Sequence, residues 1–284
     1  MIKFALIGCG QFGRNYITTI NGIGNVEMVA LCSRSDESLE KARGLCHGNP
    51  IITKHWDKAL LNADAVIIAT PPDTHRYACW SAIEKDKHFI CEKPFVLRDN
   101  DSTSILERLG SKRLSCVVDY IHLWNSHYIS AKAAFSQGPV EIASIGGGHG
   151  PVREKYNALW DYGSHDIAMC LDFLGYYPMK ISCSRSKETR SRKNTYAIDL
   201  KFSDGSSAAI RCSNELKEKV RDFWVIPHSG DKRQSFHISN SSAEQPLRTM
   251  LKQFIRSIET DTPMNNLRLA NDVTNVLERC EKLL

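Results

Sequence analysis

A chain of 284 residues with 42% apolar side chains has room for about two domains, each with a sizeable core. Its net charge of +5 is modest, and no stretch approaches the ~18 consecutive apolar residues of a membrane span, so neither nucleic acid nor membrane is an expected partner. The ten cysteines include no Cys-x-x-Cys pair, which argues against zinc or thioredoxin-type chemistry, and no metal is expected.

The chain opens with a buried-strand pattern at Ile2–Ile7, runs straight into glycines and reads as a helix over Gln11–Ile20. That first apolar run is too short for a signal peptide, so a cytoplasmic location is expected. Val26–Cys32 is a second strand, residues 36–45 a helix, Ile51–Thr53 a short strand and residues 65–69 a third apolar strand. A helix follows over residues 73–85 with Asp73 as its expected N-cap, then a strand at 88–91, a helix at 100–109 and a strand at 114–118. Apolar strands alternating with helices predict a parallel sheet covered on both faces. Most cysteines fall inside such runs (Leu31-Cys32, Ile90-Cys91) and read as reduced, buried thiols of a reducing compartment.

After about residue 120 the pattern changes. Helices are expected over residues 125–137 and 159–174, the second closed by Gly175. Tyr196, Ile198, Leu200 and Phe202 then share one face of a strand, Asp204-Gly205 makes a hairpin turn, and Ala208, Ile210 and Cys212 return. Residues 223–226 and Phe236–Ile238 are further strand candidates, and helices close the chain at 247–259 and 267–284. The expected architecture is α/β: a doubly wound parallel sheet over residues 1–119, and an α+β domain with an open, mostly antiparallel sheet over 120–284. Arg185, Lys187, Arg190, Arg192 and Lys193 form a basic cluster without interleaved aromatic residues, as expected of a solvated loop.

Five groups of residues carry chemistry. Gly8-x-Gly10-Gln11-Phe12-Gly13 lies between the first strand and the first helix, where glycines permit a tight turn and the helix N-terminus faces a pyrophosphate. Ser33 and Arg34 end the second strand, ~20 residues on, where an acidic residue usually grips the ribose of NAD. A hydroxyl and a guanidinium suit a 2′-phosphate better, so NADP(H) is favoured, while nearby Asp36 keeps NAD(H) open. Thr70, Pro71 and His75 follow the 65–69 strand and are expected to line the nicotinamide side. Glu92-Lys93-Pro94 follows the 88–91 strand, and Lys93 there can donate a hydrogen bond to a substrate oxygen. Asp161 and His165, four apart on a helix, share a face; the histidine can take the proton released as an alcohol is oxidised.

In this order the motifs Gly8-Cys9-Gly10-Gln11-Phe12-Gly13, Ala69-Thr70-Pro71-Pro72-Asp73-Thr74-His75, Cys91-Glu92-Lys93-Pro94 and Asp161-Tyr162-Gly163-Ser164-His165 resemble the glucose-fructose oxidoreductase, inositol dehydrogenase and rhizopine-catabolism (Gfo/Idh/MocA) family. The resemblance spans nearly the whole chain. It implies an N-terminal Rossmann domain and a C-terminal domain whose sheet often mediates homo-oligomers. It also implies a catalytic trio of Lys93, Asp161 and His165, with Glu92 and Lys93 among the cofactor contacts. Two departures stand out: residues 118–125 lack the usual arginine-containing segment, and Ala158-Leu159-Trp160 replaces the usual glycine pair before the aspartate.

The expected activity is hydride transfer between NAD(P) and a secondary hydroxyl or ketone of a sugar, sugar nucleotide or polyol. Tyr120, Asn125, Arg153, Asn157 and Trp160 are candidate substrate contacts. Two alternatives stand: an NAD-dependent glycosidase of the same fold, and a non-catalytic NAD(P)-binding sensor. Retention of Lys93, Asp161 and His165 argues against the sensor, because binding alone does not require them.

Overall fold

The computed structural model describes residues 1–135, 138–149, 157–186, 195–228, 236–238 and 245–284. They form two compact units: Met1–Asp119 with Leu247–Asn271, and Tyr120–Pro246 with Asp272–Leu284.

The first unit runs β1 (Ile2–Ile7), α1 (Gln11–Ile20), β2 (Val26–Cys32), α2 (Asp36–Arg43), β3 (Ile51–Thr53), α3 (Trp56–Leu60), β4 (Ala65–Ile68), α4 (His75–Glu84), β5 (His88–Glu92), α5 (Asp99–Leu109) and β6 (Cys116–Asp119). Its sheet has the order β3-β2-β1-β4-β5-β6, every pair parallel. Every residue of β4 and of β6 is buried, as a sheet covered on both faces requires. The order reverses between β1 and β4, the switch point outside which ligands of such sheets sit.

Two local differences from expectation concern α3 and α4. α3 is too short to show a helical period in sequence. Asp73 does not cap α4: a 3-10 turn at Pro72–Thr74 comes first. The Thr74 hydroxyl folds back onto Thr70 Oγ1 (2.7 Å) and the Pro71 carbonyl (2.8 Å), so the helix begins only at His75.

The second unit contributes α6 (Ser126–Ala134), β7 (Val140–His149), α7 (Ser164–Leu174), β8 (Lys180–Arg185), β9 (Thr195–Lys201), β10 (Ser207–Ser213), β11 (Glu215–Pro227) and β12 (Phe236–Ile238). Its sheet has the order β12-β11-β7-β10-β9-β8. Four neighbouring pairs are antiparallel, and β7–β10 is parallel, so the sheet is mixed rather than a plain meander. The sequence hides β7 because it ends in Gly146-Gly147-Gly148, and glycine has no side chain to betray a strand. It hides β8 because an edge strand with mostly exposed residues shows no apolar alternation. The alternation seen at Tyr196, Ile198 and Leu200 is an observed buried face.

The chain then returns to the first unit, where residues 247–271 had been expected to belong to the second. Helix α8 (Pro246–Glu259) buries Met250, Leu251, Phe254 and Ile255, and the Phe254 ring lies 6.2 Å from that of Phe4 on β1. Beyond it, the Asn266 amide brackets β6: Oδ1 accepts from Val118 N (2.7 Å) and Nδ2 donates to Val118 O (2.9 Å). These contacts cover an otherwise open edge of the parallel sheet. Helix α9 (Leu267–Lys282) ends the chain on a stripe of Leu267, Ala270, Val273, Leu277 and Cys280, all buried.

Candidate active site

At the switch point the glycine turn is packed from below and open above. Gly8 has φ +102°, and a Cβ there would lie 2.4 Å from the Ala69 carbonyl oxygen. A Cβ on Gly13 would lie 2.0 Å from Gly8 O. Both glycines therefore allow β1, β4 and the first turn of α1 to touch. Gly10, the N-cap of α1, has nothing within 4 Å of its would-be Cβ. Gln11 and Phe12 beside it are exposed. A main-chain cradle with free space over the N-terminus of a helix fits a pyrophosphate.

At the end of β2, Ser33 is half-buried and Arg34 exposed. The Asp36 carboxylate is engaged by Lys54 at 2.8 Å. At the end of β4, Thr70 is half-buried and Pro71 exposed, both on the carboxyl edge. His75 departs from expectation as a cofactor contact, because its ring is fully buried. Nδ1 faces the carbonyls of Pro94 (3.1 Å) and Phe95 (2.9 Å), and Nε2 that of Thr70 (2.7 Å). The ring thus ties the turn after β4 to the segment after Lys93; burial pushes its pKa down.

Lys93 follows β5 on the same edge and is half-buried. Glu92 departs from its expected role beside the cofactor: its side chain turns inward, where Oε1 lies 2.9 Å from the Tyr16 hydroxyl of α1. The same hydroxyl lies 2.5 Å from Asp119 Oδ2 at the end of β6. Burial pushes the Glu92 carboxyl up to about 8, with Asp119 adding to the shift and the Lys93 charge opposing it. Burial likewise pushes Asp119 up to about 6 against the pull of Tyr16 and Lys93. Tyr16 and Asp119 were not singled out from sequence; the only signals were a lone aspartate closing an apolar strand and a tyrosine on the inner face of a helix.

In the second unit, Asp161 lies in a π-type turn, Leu159–Gly163, that leads into α7, where His165 is buried near its start. Such turns recur at functional positions. Two side chains from the segment after β6 meet the His165 ring edge-on: His122, centroids 4.8 Å apart, and Tyr120, 6.4 Å apart. His122 was also missed from sequence, for it becomes a neighbour only through packing.

Three candidate substrate contacts have structural duties. Asn125 caps α6, accepting from His127 N (2.9 Å) and Tyr128 N (3.4 Å). Asn157 does the same for the π-type turn, accepting from Leu159 N (3.0 Å) and Trp160 N (3.4 Å). Trp160 is buried, its Nε1 donating to Glu281 at 3.4 Å. Tyr120 is buried against His165. Arg153, like Lys187, Arg190, Arg192 and Lys193 of the basic cluster, lies outside the described residues. Among the described residues no group of three or more His, Cys, Asp or Glu side chains could hold a metal ion. No described helix is long and apolar enough to cross a membrane.

Residues 2–120 match the model of the oxidoreductase family with an NAD-binding Rossmann fold, Gfo/Idh/MocA. Among curated relatives, inositol 2-dehydrogenase of Rhizobium meliloti (strain 1021) is 23% identical over 192 residues, 64% of this chain and 58% of that protein. The match thus spans less than two thirds of that relative's length. A solved structure from Magnetospirillum magnetotacticum MS-1, provisionally assigned as an oxidoreductase, is 27% identical with a TM-score of 0.86, covering 98% of this chain and 99% of that one. Apo scyllo-inositol dehydrogenase from Lactobacillus casei, 17% identical, superposes with a TM-score of 0.88 over 100% of this chain and 96% of that one. The match over residues 2–120 assigns the first unit, with its six-stranded parallel sheet, to the Gfo/Idh/MocA family of oxidoreductases with an NAD-binding Rossmann fold, and the fold of the whole chain is shared with both solved structures.

Proposed function

We propose that the protein is an NAD(P)-dependent dehydrogenase or reductase acting on a secondary hydroxyl, or the matching ketone, of a sugar or polyol. The observation that carries this reading is the placement of Lys93. It follows β5 on the same carboxyl edge as the glycine turn after β1, two strand spacings or about 10 Å away. That is a reach suited to a nicotinamide and the oxygen beside it. When bound, the nicotinamide C4 accepts or supplies the hydride.

In this reading the Lys93 ammonium donates to the reacting oxygen and stabilises negative charge on it. His165 takes up or returns the hydroxyl proton, and Asp161 orients the substrate. The names of the relatives, both inositol dehydrogenases, favour a cyclic polyol or sugar over other alcohols. NADP(H) is preferred, because Arg34 is exposed at the end of β2 while the competing Asp36 carboxylate is paired with Lys54. Self-association through the second sheet and a reducing cytoplasmic location, suited to ten free thiols, complete the proposal.

The test is cofactor reduction, followed by absorbance, with NADP or NAD and a panel of inositols, sugars and sugar nucleotides. A substrate-dependent rise supports the reading. Release of a leaving group with no net change in absorbance would replace it with the glycosidase alternative.

A further inference from the structure

The Tyr16 hydroxyl has one hydrogen and two carboxyl neighbours, Asp119 Oδ2 at 2.5 Å and Glu92 Oε1 at 2.9 Å. It can donate to only one of them. The other contact is a hydrogen bond only if that carboxyl carries a proton and donates to Tyr16. Two close carboxyl groups in a buried site do not both ionise readily. The distances assign the direction: 2.5 Å is the length of an O–H donating to a carboxylate, and 2.9 Å that of a neutral pair. The chain therefore reads Glu92–OH to Tyr16–OH to Asp119 carboxylate.

We propose that Tyr16, Glu92 and Asp119 hold a single proton between two carboxyl groups, and that the one negative charge left on Asp119 is the fixed counter-charge that positions the Lys93 ammonium. All four residues belong to the first unit. Asp119 Oδ1 has no hydrogen-bond partner among the described residues, which leaves it to electrostatic compensation. Asp119 stands opposite Glu92 in the β5–β6 register, one strand spacing from the residue after it, Lys93, whose charge opposes the rise of the Asp119 pKa. The groups facing Glu92 are Asp119 from β6, Tyr16 from α1, the Lys93 charge and main-chain N–H, and the Cys91 thiol. Burial raises Glu92 to about 8, in accord with a proton retained there at neutral pH. Loss of that proton would leave two negative charges facing one ammonium and alter how Lys93 meets the reacting oxygen. Asp119, Tyr16 and Glu92 are thus positioning residues. Their effect on turnover rests on the proposed role of Lys93; the shared proton does not.

Infrared spectroscopy of the intact protein tests the proton directly. The wild type at pH 7 should show the carbonyl stretch of a buried protonated carboxylic acid, lost as pH rises through about 8 and absent in Glu92→Gln. A wild type without that band overturns the proposal, whatever any variant does. Steady-state kinetics tests the positioning. Asp119→Asn should lower kcat at least about tenfold, the worth of one charge-assisted hydrogen bond, with the KM for cofactor little changed. Glu92→Gln should remove an alkaline limb from the kcat profile, and Tyr16→Phe should shift it. If Lys93→Ala abolishes turnover while kcat and pH profile are unmoved in Asp119→Asn, Glu92→Gln and Tyr16→Phe, the positioning role is wrong and the functional reading stands. If Lys93→Ala retains turnover, the functional reading fails, and with it the positioning claim, while the infrared band still decides the shared proton.

Discussion

The Asp166 carboxylate and the Arg221 guanidinium form an ion pair with almost no access to solvent, 0% and 5% exposed, one residue along α7 from His165. Ser144 on β7 donates to the same carboxylate oxygen at 2.5 Å. The pair ties α7 to β7 and β11, and so fixes the backbone that presents His165. It also explains a glycine: a Cβ on Gly146 would lie 2.4 Å from Arg221 Nη1 and 2.5 Å from Asp166 Oδ2.

Breaking that pair should be costly. Arg221→Met leaves a buried carboxylate without its partner, and about 3–5 kcal/mol of stability should be lost. Gly146→Ala should cost about 1–3 kcal/mol through overpacking. Urea midpoints of the two variants check both values.

Asn125→Ala and Asn157→Ala should behave as cap deletions, not as lost substrate contacts. Each removes an acceptor for two main-chain N–H groups, a loss of about 1 kcal/mol. Substrate KM should stay near the wild-type value in both. A KM raised tenfold with unchanged stability would restore the substrate-contact role.

Stability should depend on pH through the buried carboxyl pair. Glu92 stands at about 8 in the folded protein against a usual 4.5, and Asp119 at about 6 against a usual 3.8. Raised values mean that the unfolded chain loses these protons first as pH rises. The associated stability is fully present below about pH 4 and is lost progressively until about pH 8. Each retained proton contributes a slope of ~1.4 kcal/mol per pH unit. Denaturant midpoints between pH 6 and 8 should therefore fall in the wild type and fall less in Glu92→Gln.

Arg34→Ala should separate the two cofactors. Losing a charge-assisted hydrogen bond to a 2′-phosphate weakens NADPH binding about tenfold or more, while NADH binding changes little. Thermal shifts with each cofactor read the difference. A larger shift with NADH than NADPH in the wild type would reverse the preference.

Lys93→Ala and His165→Ala should each reduce turnover by about a hundredfold to ten-thousandfold, the range for one proton-handling group. Cofactor-induced thermal shifts should persist in both. Wild-type turnover in either variant removes that residue from the mechanism.

Much of this protein is written in local pattern. The strands β1, β4 and β5 are short apolar runs that are almost wholly buried, so composition alone marks them, and Gly8 and Gly13 mark the turn because no other residue fits the contacts there. The position of Lys93 at a strand end follows from the same pattern. What only tertiary structure decided depends on partners distant in sequence. Phe254 joins Phe4 from 250 positions away in sequence, and β7 pairs in parallel with β10 although its glycines hide it. Tyr16, Glu92 and Asp119 lie on three separate elements, and burial in a low-dielectric interior makes an ordinary tyrosine and two ordinary carboxylates into a proton-sharing group. Periodicity reports which face of an element is buried; it carries no information about which polar atoms from elsewhere will meet there.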